Sequence, residues 1–329
     1  MPQAQVWTDT RLQPQALAML KDIATVSVAS KETSTDWCQD ASQAEAIIIG
    51  GNTNVTGDIM DRLSPHLRAI ARYGIGVDRI DLQAATQRGI MVLNTPEGPT
   101  ESTAEHAIAL LLNLCKRVMA ADRSLRAGNG FQANMQQLLG LETAGATLGL
   151  VGLGRIGSRV ATIARVLGMH VLAFDPFIPK ERASEMGVEL VPTLADVLSR
   201  SQVVSLHSPA TQETRHLINA ETLKLMPQGS YLINVARGSL VDEQALLDAL
   251  RSGHLAGAAL DVYEPEPPAA DNPLFSHPNT ICTPHIASFT AAGVLRMQVM
   301  ACEQVASALR GERPKNLVNA DVWGHQRTD

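Results

Sequence analysis

The sequence predicts an α/β chain made of two doubly wound, parallel-sheet domains. Three observations predict it. The chain has 329 residues with 45% apolar content, enough for two ordinary cores and more than one core usually holds. Short β-rich runs alternate with amphipathic stretches almost from end to end, which is the rhythm of strands joined by crossover helices. One of those strands also runs straight into a glycine-rich turn that opens a helix.

In chain order, residues 5–8, 25–29, 46–49, 67–72 and 90–93 read as the strands of the first sheet. A helical pattern follows over residues 103–126, with Ser102 and Glu105 in capping-box spacing at its start and Gly128 as its stop, and it is expected to join the domains. Residues 129–145 are polar and irregular. The second sheet is expected from strands near Leu148, Val171, Val203, Tyr231, Ala258 and Ile281. The chain then returns to a helical pattern over residues 291–309 and an extended tail through Val322. If that last helix packs back on the first domain, the domains are 1–101 with 288–329, and 102–287, with a site in the cleft between them.

Charge and composition exclude several functions. The net charge of -6, with Lys and Arg scattered along the chain, leaves no basic surplus for phosphates, so no nucleic acid and no membrane partner is expected. No apolar run is long enough to span a bilayer, and residues 1–30 lack the cationic start and apolar core of a leader, so a cytoplasmic protein is expected. Cys38, Cys115, Cys282 and Cys302 lie far apart without a C-x-x-C pair; they read as reduced filler, and no metal is expected.

The chemistry begins at the turn. A strand over residues 147–151 leads into Gly152-Leu-Gly154-Arg155-Ile156-Gly157, and Val160, Ile163 and Leu167 continue at helical spacing to Gly168. Gly152 permits the tight turn, Gly154 lets the backbone approach a pyrophosphate, and Gly157 lets helix and strand pack closely. The helix N-terminus then offers amides and a positive dipole end to phosphate oxygens. Asp175 ends the next strand, where a carboxylate accepts hydrogen bonds from both hydroxyls of a ribose and repels a 2'-phosphate; Asp-Pro is also a turn signal in its own right. NAD is the cofactor this pattern implies.

Three later strand ends carry groups suited to reducing a carbonyl, which needs a cation for the carboxylate and a proton donor for the oxygen. A strand from Tyr231 ends in Ala236-Arg237-Gly238, where the glycine is expected to permit close approach of a ligand. A strand from Ala258 runs through Asp261 into Glu264-Pro-Glu266-Pro. A strand from Ile281 ends in Thr283-Pro-His285. Taken singly, Arg237 and His285 read more readily as a surface turn residue and a satisfied loop histidine; together with the glycine turn they do not.

These segments, with Val204-Ser-Leu-His207-Ser-Pro209-Ala-Thr211, resemble the D-isomer-specific 2-hydroxyacid dehydrogenase family in four ordered motifs over nearly the whole chain. The resemblance implies a Rossmann NAD-binding domain inserted into a flavodoxin-like substrate domain, and hydride transfer between NAD(H) and C2 of a small D-2-hydroxy acid or 2-keto acid. It implies that Arg237 orients the substrate, that His285 gives and takes the proton, and that Glu266 pairs with His285, leaving Glu264 as the near decoy. The cofactor contacts it implies are Gly152, Gly154, Arg155, Ile156, Gly157, Asp175, His207, Pro209, Thr214, Val235, Ala236, Asp261 and His285. Arg72-Tyr-Gly74-Ile75-Gly76 resembles the loop that holds the substrate carboxylate through backbone amides. A homodimer through the helix of residues 103–126 and the arm to Gly140 is implied as well.

Substrate choice is less specified. Arg79 stands where Asn or His often precedes Ile-Asp. The Arg72 loop resembles 3-phosphoglycerate dehydrogenases, but Gly50-Gly51-Asn52 stands where those enzymes often carry a further Arg, and many append a regulatory domain with no counterpart in this sequence. Glyoxylate, hydroxypyruvate and pyruvate-like acids therefore rank above a phosphorylated, phosphoglycerate-like acid, with the first two ahead. The rivals are an NAD-sensing interaction protein, as in the family's corepressor branch, and a phosphite or formate dehydrogenase; Glu266 argues against formate, where Gln is usual.

Overall fold

A computed structural model of the protein describes residues 3–29, 37–51, 53–63, 65–129 and 135–327. The chain divides into two compact units, Met1–Pro99 with Phe289–Asp329, and Thr100–Ser288.

The first unit holds five strands, β1 (Ala4–Thr8), β2 (Ala24–Val28), β3 (Ala46–Ile49), β4 (Ala69–Arg72) and β5 (Met91–Leu93). They pair in parallel in the order β2-β1-β3-β4-β5, the flavodoxin-like order. Interior strands of such a sheet are covered on both faces and read as continuous apolar runs; β3, Ala-Ile-Ile-Ile, is buried along its whole length. Alternation sends Val6, Ile48, Ala71 and Leu93 to one core and Trp7, Ile47, Ile49, Ile70 and Val92 to the other. The helix Ala291–Leu309, capped by the Thr290 hydroxyl accepting from Gly293 N at 3.0 Å, seals the first of these cores with Ala301, Cys302 and Val305. The tail differs from expectation at its end, where Ala320–Val322 close a 3-10 turn with Val322 buried in the same core.

The second unit holds β6 (Thr147–Val151), β7 (His170–Phe174), β8 (Glu189–Leu190), β9 (Val203–Leu206), β10 (Ser230–Asn234), β11 (Leu255–Leu260) and β12 (Thr280–Cys282). All pairings are parallel, in the order β12-β11-β10-β9-β6-β7-β8, so the direction of winding reverses at β6 and β9. Ligands of open α/β sheets bind at the carboxyl ends of the strands beside such a reversal. Val203, Ile233 and Ala259 face one core, closed by the helix Thr100–Lys116; Val204, Leu232 and Leu260 face the other, closed by the helix Glu243–Arg251. The two-residue edge strand β8 was not expected from the sequence, because a run that short carries no period.

The expected helix of residues 103–126 is corrected in two ways. It begins at Thr100, so Ser102 is buried within its first turn and is not its cap. It is also broken: Thr100–Lys116 and Val118–Arg126 are separated by Arg117 in the left-handed region, φ 55°. That conformation costs about 1–2 kcal/mol for a residue with a Cβ. Three side-chain bonds hold it there, from the Arg117 guanidinium to Ala256 O, Gln137 O and Asn279 Oδ1 at 3.3, 2.9 and 3.2 Å. Gly128 ends the second helix in the left-handed region as expected, φ 82°.

Candidate active site

Within the second unit, β6 ends at Val151 and the chain turns through the three glycines into the helix Arg155–Val166. A Cβ on Gly152 would lie 2.8 Å from the His207 backbone, and one on Gly157 2.3 Å from Gly152 O. These two glycines let β6, the loop after β9 and the helix meet. Gly154 is different: a Cβ there would meet nothing within 4 Å. Space beside an uncapped helix N-terminus is the cradle a pyrophosphate needs, and a side chain would fill it.

Asp175 follows β7 beside that turn. Its Oδ2 accepts from Leu153 N at 2.8 Å and its Oδ1 from Phe177 N at 2.9 Å, so it holds the turn and still has lone pairs for ribose hydroxyls. His207 follows β9, its Nε2 2.9 Å from Ser205 Oγ, and burial holds its pKa down at about 4, so it is neutral at pH 7. Pro209 and Thr214 belong to one self-bonded turn, Thr214 Oγ1 donating to Pro209 O and accepting from Thr211 N, both at 2.8 Å.

The loops after β10, β11 and β12 converge. Val235, Ala236 and Arg237 follow β10, and the buried Asn234 side chain ties them down: Nδ2 donates to Arg237 O at 2.8 Å and Oδ1 accepts from Ala236 N at 3.0 Å. The Arg237 guanidinium donates to Ala236 O at 2.7 Å. Gly238 is a correction. Its Cβ would lie 2.0 Å from the Tyr263 carbonyl, so the glycine admits the next loop's backbone rather than a ligand.

Asp261, after β11, is fully buried. Its Oδ1 accepts from Thr283 Oγ1 at 2.5 Å and Ile286 N at 2.9 Å, its Oδ2 from Ala287 N at 2.8 Å, and its carbonyl from His285 N at 2.8 Å. This one residue pins the whole loop that carries His285. His106, from the helix Thr100–Lys116, adds a contact, its Nε2 3.2 Å from Thr283 Oγ1; since that hydroxyl gives its proton to Asp261, His106 is the donor. So held, His285 sits at φ 54°, a strained value for a residue with a Cβ.

The two acids of the Glu-Pro-Glu-Pro turn separate. Glu266 Oε1 lies 2.7 Å from His285 Nδ1. Glu264 turns away to Arg215 and His216, with Oε1 2.5 Å from Arg215 Nη1 and Oε2 3.4 Å from His216 Nε2, and the Arg215 bond lowers its pKa. Glu266 fixes Nδ1 as a donor and leaves the far nitrogen for a substrate oxygen. Asn234 opens the Asn234-Val-Ala-Arg237-Gly238 segment that the resemblance covers, but nothing there marked its bracing task; His106 had no motif to reveal it.

In the first unit, the loop after β4 is pinned from below by Thr95 and Asn94. Gly74 N donates to Thr95 Oγ1 at 2.7 Å and Asn94 Nδ2 to Ile75 O at 2.8 Å. Gly74's amide is thus engaged, whereas among the described residues the amides of Ile75 and Gly76 donate to nothing. Arg72 donates to Tyr73 O at 2.9 Å and lies over the Tyr73 ring at 5.8 Å. A Cβ on Gly50 would overlap the Tyr73 hydroxyl, which accounts for the glycine; Asn52 lies outside the described residues. Asp9, also unsignalled in the sequence, accepts from Gly50 N and Thr53 Oγ1 at 2.8 Å, and burial raises its pKa.

Among the described residues no helix is long and apolar enough to cross a membrane, and no group of three or more potential ligands for a metal ion occurs.

Residues 108–287 match the family described as D-isomer specific 2-hydroxyacid dehydrogenase, NAD binding domain. The chain is 39% identical over 308 residues to the D-3-phosphoglycerate dehydrogenase of Methanocaldococcus jannaschii, covering 94% of this chain and 58% of that one. It is 38% identical over 329 residues to the glyoxylate reductase of Aeropyrum pernix, covering 98% of each. The chain spans only 51–58% of the phosphoglycerate dehydrogenases it matches. Among solved structures it resembles an NADPH-dependent glyoxylate/hydroxypyruvate reductase from Sinorhizobium meliloti in complex with NADP and malonate, with TM-score 0.82, 30% identity and coverage of 97% of this chain and 98% of that one.

Proposed function

The chain belongs to the D-isomer specific 2-hydroxyacid dehydrogenase family, and from that premise we propose that it reduces a small 2-keto acid to the D-2-hydroxy acid, or runs the reverse reaction. The observation that carries the reading is the Glu266–His285 contact at 2.7 Å. Bound at the glycine turn, NADH supplies the hydride to C2. As the carbonyl oxygen gains charge, His285 delivers a proton from the nitrogen opposite Glu266, whose carboxylate stabilises the protonated ring. Arg237 stays charged and orients the substrate carboxylate. In the first unit, the amides of Ile75 and Gly76, which donate to nothing among the described residues, suit the binding of an anionic group. In this reading residues 102–287 bind the cofactor and the remainder the substrate.

We assign NAD over NADP, because Asp175 would meet a 2'-phosphate with like charge. The substrate reading is glyoxylate or hydroxypyruvate. It is supported by the match to a glyoxylate reductase across 98% of both chains and by Gly50, which packs under Tyr73 in the segment where a second cation would be needed for a phosphate. NADH and NADPH oxidation with glyoxylate, hydroxypyruvate, pyruvate and 3-phosphohydroxypyruvate tests all three assignments. Turnover should be highest with NADH and one of the first two acids. Cofactor binding without turnover of any acid would favour the sensing role instead.

We also propose a cytoplasmic homodimer. Leu110, Leu111 and Leu114 are buried in the second unit's own core, so the intermolecular surface falls to Val118, Met119, Leu125, Met135 and Leu139, which are exposed. Residues 130–134 of the arm lie outside the described residues. Light scattering at micromolar concentration should give twice the 35.2 kDa chain mass, and a monomer contradicts this.

A further inference from the structure

The Glu-Pro-Glu-Pro turn must place Glu266 within hydrogen-bond reach of His285, yet it is an exposed loop running from Tyr263 to Asn272. Tyr263 is buried and anchors the start. Beyond it, a cavity of about 390 Å³ opens beneath the loop, lined by Glu243, Leu247, Glu264, Pro265 and Pro268 among others, so side-chain packing does not hold the loop from that side. Glu243, the first residue of the helix Glu243–Arg251, spans the gap. Its Oε1 accepts from Glu264 N at 3.0 Å on the outgoing limb, and its Oε2 from Asn272 Nδ2 at 2.7 Å on the returning limb. Asn272 is itself fixed, since its Oδ1 caps the helix Pro273–Ser276 by accepting from Leu274 N at 3.0 Å.

We propose that Glu243 is a positioning residue for the proton relay, clamping both limbs of the loop so that Glu266 reaches His285. Only a carboxylate suits the position. Both partners are donors, and a carboxylate is acceptor-only with two oxygens, whereas a carboxamide accepts on one side and opposes Asn272 with a second donor on the other. The Arg215–Glu264 pair also reaches this loop, but it lies at the surface, where such pairs contribute about 0.2–1 kcal/mol. The other ionisable groups around the clamp include Glu264, Asp271, Arg215, His216, Tyr263 and Cys282.

The inference rests on the relay assigned above, so its readout is independent of turnover. The His285 titration midpoint is followed by NMR in histidine-labelled protein, with the signal identified by its loss in His285→Gln. Glu266→Gln sets the full downward shift. Glu243→Ala should give at least about half of that shift, because the loop loses both bonds. Glu243→Gln, which retains the bond to Glu264 N but lacks the charge, should fall between Glu243→Ala and wild type. Asn272→Ser, which keeps a capping oxygen but loses the clamp, should shift the midpoint in the same direction by less, and it carries the test if Glu243→Ala does not fold. Asp248→Ala, on the exposed part of the same helix, should leave it in place. An unmoved midpoint in both clamp variants overturns the proposal, as does a Glu243→Gln shift equal to that of Glu243→Ala, which would make Glu243 a remote charge rather than a clamp. Absence of turnover in wild type with these shifts present would instead reject the dehydrogenase reading.

Discussion

Two neighbouring regions of the second unit are held in place by different means. The turn from Gly152 to Gly157 is fixed by what is missing: its glycines admit the backbone of His207 and of each other at distances no side chain allows. The loops carrying Arg237, Glu266 and His285 are fixed by what is present, polar side chains that each satisfy several partners, above all the buried Asn234 and Asp261 and the part-buried Glu243. The first device is written locally, within six residues. The second is assembled from residues far apart in the chain, and of its three members Glu243 lies in no segment that the sequence singled out.

The largest effect that separates the two should come from Asp261→Ala. It removes the side-chain acceptor for Thr283 Oγ1, Ile286 N and Ala287 N together, and buried donors left unsatisfied cost about 1–3 kcal/mol each. Turnover should fall by about 10²-fold or more as His285 loses its placement, with a lower melting temperature. Wild-type turnover in this variant would show that the loop does not depend on its hub.

On the other side, Gly157→Ala and Gly154→Ala should part company. A Cβ at 157 strikes Gly152 O at 2.3 Å and should destabilise the fold by about 1–3 kcal/mol, a cost typical of overpacking. A Cβ at 154 strikes nothing and should leave the melting temperature unchanged while weakening NADH binding about tenfold or more, because it occupies the space reserved for phosphate. Equal melting temperatures for the two variants, or wild-type NADH affinity in Gly154→Ala, would break the division of labour among the glycines.

This contrast also explains what was legible in the sequence. Eleven strands could be located because alternation and apolar runs repeat over several residues; β8 could not, with only Glu189 and Leu190 in the ladder. The glycine turn is local and was readable to the level of each residue's task. Gly238 was misread because the same residue type serves close approach of a ligand or of another backbone, and only the position of Tyr263 decides between them. The break at Arg117 was hidden for a related reason: its three stabilising partners lie 20, 139 and 162 residues away. His285 and Glu266 were found through family motifs, and Asn234, which braces Arg237, lay inside one, while His106 and Glu243, which brace the loops of His285 and Glu266, lay in none.

A smaller effect concerns acid. His207 is titratable and sits where the two regions touch, with its backbone against Gly152. Its pKa is depressed from 6.5 to about 4 by burial, so the unfolded chain binds the proton more readily than the folded one. Its contribution is therefore complete above about pH 6.5 and is lost as pH falls from there towards 4, by at most about 3–4 kcal/mol. Thermal melts of wild type and His207→Gln between pH 7 and pH 4 should converge as pH falls; a constant difference across that range would contradict the buried, neutral histidine.

The most direct test of the account follows the hydride itself. NADH carrying deuterium at C4 in the transferable position is incubated with the best keto acid and either wild type or His285→Ala, and the product is analysed for label and configuration. The account predicts that wild type places deuterium on C2 of the D-2-hydroxy acid and that His285→Ala does so about 10²- to 10⁴-fold more slowly with NADH affinity retained. Label absent from C2, an L product, or undiminished transfer by His285→Ala would contradict it.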